Sequence, residues 1–277
     1  MVDKYAVIGN PIDHSKSPTI HAAFAKQTNQ NISYEAIHAP LNGFEAKVRE
    51  LIAHGFKGAN VTVPFKFEAF KLCDELTQRA HLAGAVNTLT FKQNKIYGDN
   101  TDGVGLVSDI TQNLNIAINQ KTVLLMGAGG AAYGVVLPLL EAGALLSVAN
   151  RTLHKAVLLA NTFNRLKLGK LEINAGEFVM FKNHPFDIVI NATSTGLTDD
   201  LPDISVSNFS VNALAYDMMY GRETPFIALA KASGAQVADG LGMLVEQAAE
   251  AFYLWRGVRP ETKPVIQIVK SLQMEKS

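Results

Sequence analysis

Four residues in one turn carry the clearest chemistry in this 277-residue chain: Gly127, Gly129, Gly130 and Ala132 close the apolar run 123–126. A helix-like stretch follows, and a second apolar run ends at Asn150, Arg151 and Thr152. That is a strand, a glycine turn, a crossover helix and a second strand, with the dinucleotide spacing G-x-G-x-x-G/A at the first turn. Gly127 allows the tight turn, Gly129 lets backbone N–H groups reach a pyrophosphate, and Ala132 keeps helix and strand close. A site for NAD usually places an acid about 20 residues past the glycines, to hold the ribose 2′-hydroxyl. This chain offers Asn150, Arg151, Thr152 and, one turn on, Lys155, and no acid. A cation and a hydroxyl there suit a 2′-phosphate, and Thr152 is positioned to cap the next helix, whose N–H groups would also meet an anion. A solvated arginine beside an ordinary N-cap is the plainer reading. Taken with the glycines upstream, the pattern points to NADP(H) rather than NAD.

The elements that must hold such a site alternate along the chain. Strands are expected at 4–8, 32–39 and 59–63, the last stopped by Pro64, with helices opening at Pro18, near 43–54 and from about Lys66. Segments 86–91 and 95–97 read as a hairpin around Gln93 and Asn94. A helix from Gly103 leads into the dinucleotide unit, whose later strands are expected at 171–174, 187–191, 211–217 and 236–238. A final long helix, 241–256, is apolar nearly all round in its first turns and is expected to be buried. This alternation predicts two α/β domains: an N-terminal three-layer substrate domain with a mostly parallel sheet, and a Rossmann-type doubly wound domain. No linker separates them, so the chain should cross through ordered helices near Asp102 and Gly240. The expected division is residues 1–102 with 240–277, and 103–239, with a cleft between.

Bulk properties exclude several classes. Twenty-five basic and 25 acidic residues give zero formal charge, with no basic stripe for nucleic acid. One cysteine, Cys73, allows no internal disulfide, as in a reduced compartment. The first residues begin a strand rather than a signal peptide. Residues 123–140 carry no charge, but the glycine turn divides them into a buried strand and its helix rather than a membrane span. A cytoplasmic protein is expected.

The polar motifs form a further pattern. SKSP begins at Ser15, NVTVPFK at Asn60, GAVNT at Gly84 and GDNTDG at Gly98. NATS begins at Asn191, YDMMY at Tyr216 and DGLGMLVEQA at Asp239. With GAGGAA and NRT, in this order from residue 5 to about 260, the chain closely resembles the shikimate dehydrogenase family. The resemblance implies NADPH-dependent reduction of 3-dehydroshikimate to shikimate on the route to aromatic amino acids, with a small-molecule substrate, no metal, and a monomer or homodimer. It also implies cofactor contacts at Gly127, Ala128, Gly129, Gly130, Ala131, Asn150, Arg151, Thr152, Lys155, Thr193, Met218 and Gly240.

Shikimate bears one carboxylate and three hydroxyls, so its pocket needs many hydrogen bonds. Ser15 and Ser17 precede a helix and could donate to the carboxylate, although Ser17 before Pro18 also reads as an ordinary N-cap. The family pattern assigns both serines to the carboxylate. Asn60 and Thr62 are polar alternates in an apolar strand and share a face directed to the ligand crevice. Asn87, inside an expected strand, could bond a ring hydroxyl or simply form a turn. Tyr220 and Gln247 match the remaining substrate contacts of the family, and Lys66 and Asp102 match its catalytic pair. A lysine ammonium can protonate the alkoxide that forms when hydride adds to a ketone, with Asp102 orienting it. Lys66 is the expected proton donor.

Three positions depart from the family pattern: Thr195, Leu197 and Gln78, the last where an acid is common. Two rival readings are a quinate/shikimate dehydrogenase with relaxed NAD use and a non-catalytic dinucleotide-sensing regulator. The first tends to carry an acid after the NR pair and a threonine for one serine, whereas Leu153 follows NRT here and both serines stand. The second would be expected to lack Lys66 or Asp102, and both are present.

Overall fold

A computed structural model describes residues 2–168, 172–193 and 200–274. The chain divides into two compact units, residues 1–105 with 244–277 and residues 106–243. The first unit holds strands β1 (Asp3–Gly9), β2 (Ile32–His38), β3 (Phe56–Val61), β4 (Glu75–Leu76), β5 (Thr88–Lys92) and β6 (Lys95–Asp99). Its early helices are α1 (Ser17–Gln27), α2 (Phe44–Ala53), α3 (Lys66–Leu72) and α4 (Gln78–Ala83). The sheet order is β2-β1-β3-β5-β6-β4. β1 runs parallel to β2 and β3, while β5 lies antiparallel between β3 and β6. Tyr5 to Ile8 are all buried, as a central strand covered on both faces requires. Gln93 and Asn94 both take positive φ, which fits the tight two-residue turn joining β5 to β6.

Helix α5 (Asp102–Ser108) runs into a π-helical turn at Asp109–Asn113. The second unit then builds β7 (Thr122–Met126), α6 (Gly130–Glu141), β8 (Leu145–Ala149), α7 (Leu153–Asn164), β9 (Asn174–Gly176) and β10 (Phe186–Asn191). β11 (Phe209–Asp217), α8 (Pro225–Ala232) and β12 (Gln236–Ala238) complete it. Its six strands are all parallel, in the order β12-β11-β10-β7-β8-β9. The order reverses between β7 and β10, the switch point at which open α/β sheets bind ligands. Helices α9 (Leu241–Arg256) and α10 (Lys263–Met274) end the chain, and the boundaries between units fall inside α5 and α9. α9 is buried along most of its length, from Leu241 to Phe252.

One local expectation holds and several change. The uncharged stretch 123–140 is β7 and α6, and no helix among the described residues is long and apolar enough to cross a membrane. The strand expected at 171–174 is β9, starting at Asn174; Leu171 lies outside the described residues. The N–H of Ile173, just before β9, donates to the Asn164 side chain at 2.8 Å. β3 ends at Val61, so Thr62 lies beyond the strand, although its N–H still bonds Ile8 O at 3.0 Å. Asn87 also falls outside a strand, since β5 begins at Thr88. The sequence reading gave no elements at α4, α8 or α10. α4 and α8 are opened by Thr77 and Thr224, whose hydroxyls accept N–H groups of the first turn.

Candidate active site

In the first unit a continuous chain of polar side chains is assembled. Lys66 is the first residue of α3, where a cation opposes the helix dipole. Asp102, the first residue of α5, offsets this: Lys66 Nζ donates to Asp102 Oδ2 at 2.6 Å. The side chains are 31% and 14% exposed, so the ammonium remains reachable while its partner is largely covered. Asn87, 2% exposed, donates from Nδ2 to Asp102 Oδ1 at 2.8 Å and to Gln247 Oε1 at 3.3 Å. Its Oδ1 accepts from the Thr101 N–H at 2.9 Å and from the Thr88 hydroxyl at 2.9 Å. Two distant segments, at 101–102 and at 247, therefore converge on one amide, which fixes the carboxylate of Asp102 from the side away from Lys66.

The same chain of bonds extends to the SKSP loop. Asn60, 6% exposed, donates from Nδ2 to Asn87 O at 3.2 Å and to Thr88 Oγ1 at 3.1 Å. Its Oδ1 accepts from the Tyr34 hydroxyl at 2.8 Å. Burial raises the Tyr34 phenol well above its ordinary pKa, with the hydrogen-bonded Ser17 side chain opposing. Ser17 is the first residue of α1 rather than its N-cap; that place belongs to Lys16, and no side chain caps the helix. The Ser17 hydroxyl is thus not consumed in capping, and its N–H donates to Ser15 Oγ at 3.3 Å. Gly9 makes the approach possible, since a Cβ there would come within 2.5 Å of the Thr62 methyl and 2.8 Å of Ile12. Tyr34, Thr88 and Thr101 are not singled out by the sequence, because a tyrosine in an alternating strand and a threonine beside an Asn or an Asp have no local mark of function.

In the second unit the residues expected at the dinucleotide gather at the carboxyl ends of β7, β8, β10 and β11. Gly127 has φ +106°, and a Cβ there would approach Ala192 O at 3.0 Å and the Thr193 methyl at 3.3 Å, so glycine is required. A Cβ on Gly129 would meet no atom within 4 Å. Protein packing therefore does not demand glycine there, whereas a closely approaching pyrophosphate would. Gly129 is the N-cap of α6 and Ala131 lies exposed in its first turn; that turn contains no acid to repel a phosphate. The fit to a dinucleotide is good. Thr193 donates from both N and Oγ1 to Asn191 Oδ1, and Gly240 lies so close to the Met218 backbone that no Cβ would fit.

Past β8, Arg151, Thr152 and Lys155 are all exposed, and Arg151 and Lys155 make no ion pair among the described residues. Thr152 does occupy the N-cap of α7, but its side chain makes no capping bond; instead the Asn150 amide donates to Thr152 O at 3.0 Å. Tyr220 belongs to this unit, where burial and then Asp239 raise its phenol pKa. Gln78 opens α4. Thr195 and Leu197 lie outside the described residues.

Family models match most of the chain. Residues 7–89 match the shikimate dehydrogenase substrate binding domain, 108–198 the shikimate/quinate 5-dehydrogenase domain, and 240–270 the shikimate 5-dehydrogenase C-terminal domain. A shikimate dehydrogenase (NADP(+)) of Methylobacillus flagellatus is 57% identical over 272 residues, covering 98% of this chain and 100% of that protein. Among solved structures, an Ael1 enzyme from Pseudomonas putida superimposes with a TM-score of 0.91 at 46% identity, covering 96% of this chain and 97% of that one. Shikimate 5-dehydrogenase of Thermus thermophilus, in complex with NADP(H) and shikimate, superimposes with a TM-score of 0.85 at 32% identity, covering 98% and 99%. Identity at this level over the full length, on a two-unit α/β fold, makes the chain a member of the shikimate dehydrogenase family.

Proposed function

We propose that the protein catalyses the reversible reduction of 3-dehydroshikimate to shikimate with NADPH. The supporting observation is the coincidence, on one chain, of full-length family membership with an intact Lys66–Asp102 pair at 2.6 Å. Residues 1–105 with 244–277 supply the substrate contacts other than Tyr220, and residues 106–243 the cofactor contacts. Ser15 and Ser17 take the substrate carboxylate, while Asn60, Thr62, Asn87, Asp102, Tyr220 and Gln247 share its hydroxyls and carbonyl. Gly127 to Ala131, Thr193, Met218 and Gly240 hold the dinucleotide, and Asn150, Arg151, Thr152 and Lys155 take its 2′-phosphate.

NADPH, when bound, supplies the hydride. As negative charge develops on the ketone oxygen, the Lys66 ammonium donates its proton from Nζ. Asp102 aims Lys66, while Asn87, bonded in turn to Gln247, holds Asp102 in register. In the oxidation direction, neutral Lys66 accepts the hydroxyl proton of shikimate. The cytoplasm is the setting proposed for a chain whose single cysteine allows no internal disulfide, as a monomer or homodimer. The test is absorbance at the nicotinamide band with shikimate or quinate, each with NADP or NAD. Shikimate with NADP should give the highest kcat/KM; a preference for quinate, or for NAD, would overturn the reading.

A further inference from the structure

His21 is fully buried in α1, and neither of its ring nitrogens has a hydrogen-bond partner among the described residues. Buried polar atoms left in that condition are costly, and phenylalanine would fill an aromatic box without the cost. The box is explicit. The His21 ring stacks on Tyr34 at 4.0 Å and 7° between planes, with Phe24, Phe252 and Trp255 at 5.9, 6.1 and 5.6 Å. Burial pushes the imidazolium down to about 3, opposed by a hydrogen-bonding approach to the Asn60 side chain that falls short of a well-formed bond. The ring is therefore neutral near pH 7 and carries one N–H donor. His21 also lies one helical turn from Ser17, on the same face of α1.

Tyr34 and His21 both approach the Asn60 side chain. Asn60 Oδ1 is held by the Tyr34 hydroxyl at 2.8 Å, and that hydroxyl also meets Ser17 in the proposed carboxylate site. Were the phenol to turn toward an anionic ligand, Asn60 Oδ1 would be left buried without a donor. We infer that His21 is a positioning residue: its ring braces Tyr34, and its N–H stands ready for Asn60 Oδ1, freeing the Tyr34 hydroxyl for a ligand carboxylate. The ring nitrogen, which makes no well-formed bond in this structure, then completes one in the liganded state. This inference rests on the proposed assignment of the site to shikimate.

The test combines kinetics with ring signals. His21→Phe keeps the stack and removes the N–H; it should raise the KM for shikimate about tenfold, with kcat and the KM for NADP within twofold of wild type. In a Tyr34→Phe background the same substitution should leave the KM for shikimate unchanged, because there is no hydroxyl to release. In wild type labelled with ¹⁵N-histidine, saturating shikimate should move one His21 ring resonance to a hydrogen-bonded position. An unaltered KM in His21→Phe, a loss that persists undiminished beside Tyr34→Phe, or an unmoved ring signal in an enzyme that turns over shikimate would each overturn the inference alone. A wild-type protein that neither binds nor oxidises shikimate would sink the proposed function, and this inference with it.

Discussion

Lys66 and His21 show two opposite uses of a basic side chain. Lys66 is partly exposed and paired with Asp102; His21 is enclosed by aromatic rings and kept neutral. Lys66→Met keeps the aliphatic bulk and removes the proposed proton donor. Turnover should fall roughly 10²–10⁴-fold, while binding of shikimate and NADP, read by titration, stays close to wild type. Near-full turnover in that variant would shift proton transfer to Asp102 or a water. For His21 the folded-state pKa lies below the ordinary value, so neutral histidine stabilises the fold above about pH 6.5, and this contribution is lost as pH falls toward 3. Between pH 7.5 and 5, wild type should lose about 2 kcal/mol more stability than His21→Phe. Urea unfolding at the two pH values measures the difference, and parallel losses would mean that the ring is hydrated or accessible in the native state.

At the scale of elements, the β7–α6–β8 unit works through its ends. Its strands and helix bury Val123 to Met126, Val135 to Val136 and Val148, and the residues left exposed are those at the turns. Arg151, past β8, has no ion-pair partner to lose among the described residues, so Arg151→Ala should leave thermal stability within about 0.5 kcal/mol. A charge-assisted contact to phosphate is worth roughly 1.5–3 kcal/mol, about ten- to a hundredfold. The KM for NADP should rise by that factor and the KM for NAD should hardly change. Equal losses for both cofactors would show that Arg151 serves the fold rather than the 2′-phosphate.

At the scale of the whole molecule, the first unit is discontinuous in sequence, and a charge network joins its two parts. Arg79, in α4, donates to Asp99 at 2.6 and 2.7 Å and to Glu250, in α9, at 3.1 Å; Arg259 pairs with the other oxygen of Glu250. Asp99 and Glu250 are 6% and 8% exposed, so removing either leaves a covered guanidinium short of a partner. Glu250→Ala should cost about 3 kcal/mol of stability, and urea unfolding should show it. If the network is merely a solvated surface feature, the loss will stay under about 1 kcal/mol.

The dinucleotide unit is legible in the sequence because each of its requirements is local. Gly127 needs a positive φ, the apolar runs on either side need burial, and the absence of an acid beside Arg151 is a fact of composition at one place. The order of the polar motifs likewise carries the family before any contact is known. What the sequence leaves open is how those motifs share hydrogen bonds. Asn87 reads as a strand residue with a turn as its rival, yet it is an amide on which Thr101, Asp102 and Gln247 converge from 14, 15 and 160 residues away. Ser17 reads as a cap because Pro18 follows it, but the helix begins one residue earlier than that reading allows. Tyr34 and His21 give no signal, since a tyrosine on a strand and a histidine on a helix are ordinary. Local steric rules and burial act over a few residues and so are written in the sequence. Satisfying a buried polar atom depends on whichever segment the fold brings within about 3 Å, and that is decided only in three dimensions.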